Sequence, residues 1–157
     1  MMGQPNILLT RIDNRLIHGQ VGITWTTTLG ANLIIVADDE VAEDDLQQQL
    51  MTVTANSSGA EIRFFSLEKT ISILPQAGDW QKIFIVVRTP HSARKLVEGG
   101  VAITDVNVGN MHFDTGKKAL SKKVYVDDQD KEDLQYLKDK GINVFLQDVP
   151  TSSKDSF

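Results

Sequence analysis

Short apolar runs alternate along this chain with stretches whose apolar positions recur at helical spacing. The runs fall at 7–9, 33–37, 62–65, 83–87, 106–108, 124–126 and 142–146. Those at 33–37 and 83–87 are apolar at every position, as expected for strands of a parallel sheet covered on both faces. Helices are expected between them. One runs from Gly19 to about Leu29. A second covers about 41–54, with Leu46, Leu50 and Val53 on one face, and a third covers 67–74, with Leu67, Ile71 and Leu74 on its face. A fourth opens with Thr89 as N-cap and Pro90 as first helical residue, and ends near Gly99-Gly100. The last is capped by Asp128, buries Leu134 and Leu137, and is stopped by Gly141. Strand–helix alternation predicts an α/β domain, doubly wound, with a mainly parallel central sheet and helices on both faces. The segment 100–123 breaks the pattern. Its Gly109-Asn110 reads as a turn, and a long loop with an antiparallel edge strand is expected there. The polar tail from Pro150 is expected to fray. Neither a repeat nor a linker appears, so residues 1–157 form one domain.

Composition narrows the chemistry. The chain has 157 residues, 24% of them charged, and a net charge of −5. It lacks the basic stripe of a nucleic-acid binder. There is no cysteine, which excludes disulfides and thiolate metal sites. No apolar run approaches the ~20 residues of a membrane span, and the start MMGQPN has neither the basic region nor the apolar core of a signal peptide. A cytoplasmic protein without metal or cofactor is expected.

The densest chemistry follows the first apolar run, in TRIDNRLIHGQVG (residues 10–22). Ligands of open α/β sheets bind beyond the carboxyl ends of the strands. The stretch 10–17, read as a loop, lies on that edge, and so does Arg88-Thr89-Pro90. Arg11 and Arg15 could grip a phosphate with charge-assisted hydrogen bonds. They would also disfavour a protonated His18 and leave it a free lone pair. Asp13 could orient an arginine or accept the imidazole N–H and set its tautomer. Gly19 permits close backbone approach, and with Gln20 it opens a helix whose N-terminus is a ready anion site. These parts suit a histidine that takes up a phosphoryl group. The plainer alternative is a surface ion-pair cluster with a histidine cap.

Other sites fare worse. Gly19 to Gly22 gives only G-x-x-G, so a dinucleotide site would rest on Asp38 and Asp39 alone, and acids at strand ends are usually helix caps. No P-loop pattern occurs. His91 and His112 read as exposed loop or first-turn residues, Trp25 and Trp80 as packing residues.

RIDNRLIHGQV closely resembles the active-site signature of the IIB components of the mannose/sorbose-type sugar phosphotransferase system. The likeness spans essentially the whole chain. It includes Asp38-Asp39, Arg88-Thr89-Pro90 and the segment Asn107-Val108-Gly109-Asn110-Met111-His112. VYVDDQD and VFLQDVP look most like the N-acetylgalactosamine/galactosamine branch. The resemblance implies a phosphoryl carrier. His18 would accept phosphate on Nδ1 from a phosphohistidine of the IIA partner and pass it to a sugar, with membrane subunits IIC and IID. It implies that Arg11 and Arg15 neutralise the phosphoryl group, that Asp13 supports the loop, and that Gly19, Gln20 and Thr89 lie near the phosphate. The protein would then sit at the inner face of the membrane through IIC and IID, and a homo-oligomer stays open. The rival reading is a nucleotide- or sugar-phosphate-binding module without phosphotransfer.

Overall fold

The computed structural model describes residues 5–156. In chain order the elements are β1 (Asn6–Asp13), α1 (Gly19–Leu29), β2 (Leu33–Ala37), α2 (Asp45–Asn56), β3 (Glu61–Phe65), α3 (Leu67–Ile73), β4 (Lys82–Val87), α4 (Pro90–Glu98), β5 (Asp105–Asn110), β6 (Lys118–Ala119), β7 (Tyr125–Val126), α5 (Asp128–Asp139) and β8 (Asn143–Leu146). Six strands form one sheet in the order β3-β2-β4-β1-β5-β8, and every neighbouring pair is parallel. The expected antiparallel element is a separate ribbon of β6 and β7, joined at the other end of the chain by a single antiparallel bridge from Asp155 to Leu146 on the β8 edge.

Each face of the sheet has its own core. On one side Leu9, Ile34, Val36, Phe84 and Phe145 pack with Trp25 of α1 and with Met51 and Ala55 of α2. On the other, Ile12, Ile35, Ile85, Val106 and Val144 pack with Leu96 of α4 and with Leu134 and Leu137 of α5. Thus α1 leaves β1 toward one face, whereas α4 leaves β4, its neighbour, toward the other. The crevice between those two strand ends is the switch point where ligands of such sheets bind.

Several expectations change. The first strand does not stop at Leu9 but continues through Thr10, Arg11 and Asp13, all buried. The polar residues interrupt the apolar run, yet a strand can bury them where they satisfy one another. A register shift between Ile7 and Leu9 sends Ile7 into one core and Leu9 into the other. Alternation then sets Arg11 and Asp13 on the α1 side, with Leu9. Gly109-Asn110 is not a turn but the end of β5. Ile12 pairs with Val108 and Asp13 with Asn110, so Gly109 is the extra residue of a bulge. Glycine inside a strand marks a close approach, and a Cβ here would overlap the Arg11 guanidinium.

On α2 the stripe of Leu46, Leu50 and Val53 is exposed, because the helix docks through Met51 and Ala55. The α5 cap is Asp127, one residue earlier than expected, in a reciprocal capping box with Asp130. Trp80 is 70% exposed rather than packed. The tail does not fray by residue 155. Leu146 and Asp155 exchange two backbone hydrogen bonds of 2.7 and 2.9 Å. The Gln147 side chain fastens the intervening turn by donating to the carbonyls of Pro150 and Ser152.

Candidate functional site

Asp13 is the hub of the site. It ends β1 with no measurable exposure, yet both oxygens are committed. Oδ2 accepts from Arg11 Nε at 3.3 Å and Nη2 at 3.1 Å, and it lies 2.9 Å from His18 Nε2. Oδ1 accepts the backbone N–H of Arg15 at 2.9 Å. A carboxylate flanked by a guanidinium can only accept, so His18 carries its hydrogen on Nε2 and its lone pair on Nδ1.

His18 occupies the N-cap position of α1 in extended geometry, but its side chain caps no backbone N–H. The plainer reading of it as a helix cap therefore fails. The loop between Asp13 and His18 is strained. Leu16 has φ 58° while its side chain is buried in the α1-side core. For a branched residue this conformation costs about 1–3 kcal/mol. Core burial of Leu16 and Ile17 and the bond from Leu16 N–H to the Asp13 carbonyl at 2.9 Å hold it there.

The two arginines do not form the matched pair of clamps that residue types suggest. Arg15 is exposed and its guanidinium has no partner among the described residues. Arg11 lies beneath Asp13, 2% exposed. Its Nη1 donates to Asn107 Oδ1 at 2.6 Å and to the Gln147 carbonyl at 3.1 Å, and its plane lies 5.4 Å from the Trp25 ring. Burial pushes the guanidinium down from its ordinary value, and Asp13, then Asp148, oppose this. Arg11 therefore reaches the imidazole through Asp13.

Gly19 and Gln20 form the exposed first turn of α1, which carries no acidic residue. Gly19 has φ 48° and open space where a side chain would stand. Free N–H groups of that turn and the exposed Arg15 thus border His18 on the same strand end. Thr89 acts as the N-cap of α4, accepting the Ser92 N–H at 3.2 Å. Arg88 joins the strand ends rather than facing solvent alone. It pairs with Asp38 at 3.2 Å and donates to the Asn14 carbonyl at 3.1 Å. Asp38 also accepts the Val41 N–H and Asp39 the Leu67 N–H, so both acids serve as local caps.

Asn14, Asn107 and Gln147 fall within the quoted family-like segments, but sequence reading assigned none of them a role. Asn14 ties together the ends of three strands. Its side chain donates to the Arg88 carbonyl at 2.8 Å and accepts the His112 N–H at 2.6 Å, and its N–H donates to the Asn110 carbonyl at 2.9 Å. Its place between Asp13 and Arg15 was the only available signal. His112 itself is exposed, and His91 stands 3.6 Å from Asp133, away from this cluster. Among the described residues no cluster of His, Cys, Asp and Glu suits a metal ion, and no helix is long and apolar enough to cross a membrane.

Residues 7–157 match the family described as PTS system sorbose subfamily IIB component. The chain is 62% identical over 154 residues to N-acetylgalactosamine-specific phosphotransferase enzyme IIB component 1 of Escherichia coli (strain K12), covering 98% of each. It is 38% identical over 149 residues to the PTS system mannose-specific EIIAB component of the same organism, covering 93% of this chain and 45% of that one. The crystal structure of the former superimposes with a TM-score of 0.94 over 97% of this chain and 99% of that one. The IIB domain of the sorbose permease from Klebsiella pneumoniae gives 0.88 at 34% identity, over 95% of this chain and 91% of that one.

Proposed function

The chain belongs to the sorbose subfamily of IIB components of the sugar phosphotransferase system, and on that basis we propose that His18 is its phosphoryl-carrying residue, loaded on Nδ1. The observation that carries this reading is the 2.9 Å contact of Nε2 with the buried Asp13, which commits one ring nitrogen and leaves the other as the nucleophile. The donor is a phosphohistidine of a IIA protein. The Nδ1 lone pair attacks phosphorus, the new N–P bond forms, and the old N–P bond breaks with its electron pair returning to the donor imidazole. Nε2 keeps its hydrogen, so the positive charge developing on the His18 ring faces the Asp13 carboxylate.

Arg15 and the first turn of α1 neutralise the phosphoryl oxygens, with Gly19 and Gln20 supplying backbone N–H groups and Thr89 bordering the far side of the crevice. Arg11 and Asp13 orient the ring from below. Such a loose, in-line transfer needs positioning and charge neutralisation more than covalent help. The phosphoryl group then passes to a hydroxyl of an incoming sugar at membrane subunits IIC and IID, to which the protein binds from the cytoplasm. The sugar is N-acetylgalactosamine or galactosamine, supported by the name and 62% identity of the Escherichia coli relative.

The test is direct. Incubation with phosphoenolpyruvate, the general phosphotransferase proteins and the matching IIA should place acid-labile, alkali-stable phosphate on His18. His18→Ala should carry none. Phosphate retained in that variant overturns the assignment, and uptake of a different sugar by the reconstituted system overturns the substrate.

A further inference from the structure

Beneath the Asp13–His18 contact runs a line of buried polar groups that crosses from β1 to β5 and β8. Asn107, on β5, has no measurable exposure. Its Oδ1 accepts Arg11 Nη1 at 2.6 Å and its Nδ2 donates to the Gln147 carbonyl at 2.9 Å. Neither orientation is negotiable. A guanidinium only donates and a carbonyl only accepts, so the amide can stand one way round. Arg11 in turn has no freedom. Asp13 holds Nε and Nη2, Asn107 and Gln147 hold Nη1, the Trp25 ring centroid lies 5.4 Å from its Cζ, and only the missing side chain of Gly109 leaves it room.

We propose that Asn107 is a positioning residue of phosphoryl transfer: it holds the Arg11 guanidinium against Asp13, which keeps the hydrogen of His18 on Nε2 and the lone pair on Nδ1. The inference rests on His18 being the phosphoryl acceptor. Without the Asn107 oxygen, Nη1 keeps only the Gln147 carbonyl, and the guanidinium is free to turn away from Asp13. The carboxylate then loses the partner that fixes its Oδ2 under the imidazole. An ordinary core role would instead make Asn107 matter for folding and leave the ring untouched.

The experiment uses full-length protein with 15N-labelled histidine. The tautomer of His18 is read by NMR, and phosphorylation is timed with phosphoramidate as a small donor that needs no partner protein. In wild type His18 should be the Nε2–H tautomer. In Asn107→Ala a mixture of both tautomers is expected, with phosphorylation slower by about tenfold or more. If Asn107→Ala does not fold, Asn107→Ser takes its place with the same expectation. A folded Ala or Ser variant with wild-type tautomer and rate overturns the proposal. The tautomer is read without any phosphate, so failure of the carrier assignment shows separately, as wild-type protein that stays unphosphorylated.

Discussion

His18 Nε2 and Asp13 Oδ2 lie 2.9 Å apart, and the same oxygen takes two hydrogen bonds from Arg11. The imidazole thus rests on the carboxylate of the buried Arg11–Asp13 ion pair. Removing the carboxylate both strands a buried guanidinium and frees the ring. Asp13→Asn should destabilise the domain by about 3–5 kcal/mol, the cost of breaking a buried pair. It should also slow phosphorylation of His18 by roughly 10²–10⁴-fold, as expected when the tautomer is no longer imposed. Urea denaturation and phosphoryl-transfer kinetics measure the two effects; loss of stability without loss of rate would separate Asp13 from the chemistry.

Arg15 should behave in the opposite way. Its guanidinium is exposed and unpartnered among the described residues, so Arg15→Ala should change stability by no more than about 0.5 kcal/mol. Transfer should nevertheless slow by about 10–100-fold, since charge at the phosphoryl group is lost. Unchanged single-turnover rates would remove Arg15 from the site.

Gly109→Ala tests the seat of Arg11. The added methyl would overlap the guanidinium, so overpacking of about 1–3 kcal/mol is expected. Combining it with a shorter side chain, Arg11→Ala, should make the alanine's cost vanish while the Asp13 imbalance remains. A double-mutant cycle read by urea midpoints decides this, and strictly additive effects would contradict it.

The two tryptophans offer a probe of the same region. Trp25 is buried and donates to the Asp148 carbonyl at 3.0 Å, whereas Trp80 is largely exposed. In Trp80→Phe the remaining emission should resist acrylamide and shift to the red on unfolding. Ready quenching in the native state would refute the placement of Trp25 beside Arg11.

The α5 cap carries a pH dependence. The backbone N–H of Asp130 holds the Asp127 carboxyl below its ordinary value. A depressed carboxylate adds stability above its unfolded pKa, and that stability is lost as pH falls through the folded value. Asp127→Asn keeps a capping oxygen without titrating. Wild type should therefore lose stability relative to this variant as acid protonates the cap, and equal acid sensitivity would rule out Asp127 as a contributor.

Much of this was legible in the residues. Apolar runs located the six sheet strands, and Thr89-Pro90 and Gly141 marked helix ends, because burial and backbone geometry constrain those positions locally. The charged cluster at 11–18 marked where Arg11, Asp13 and His18 come together. The division of labour within it was not legible. Whether Arg11 points outward or down depends on the bulge near Leu8 and on Gly109, which belong to strand pairing rather than to local pattern. Leu46, Leu50 and Val53 misled for a similar reason: α2 carries two apolar stripes, and only docking decides which is covered. Asn107 and Gln147 stood in family-like segments, but their roles were not legible there, since they lie in what the two residues meet across the sheet.

The line from Arg11 to Gln147 spans 136 residues of sequence. β1 is made before the other strands of the sheet, yet its neighbours β4 and β5, and Asn107 and Gln147, which accept from Arg11, are made much later. At about 5–20 residues per second, several seconds pass before β1 can be inserted at the centre of the sheet. Until then β1 must wait with its ionic groups in water. The seat of Arg11 is therefore completed in one late step, and a nascent chain that stops short of β8 has Asp13 and His18 without the groups that fix the guanidinium from across the sheet.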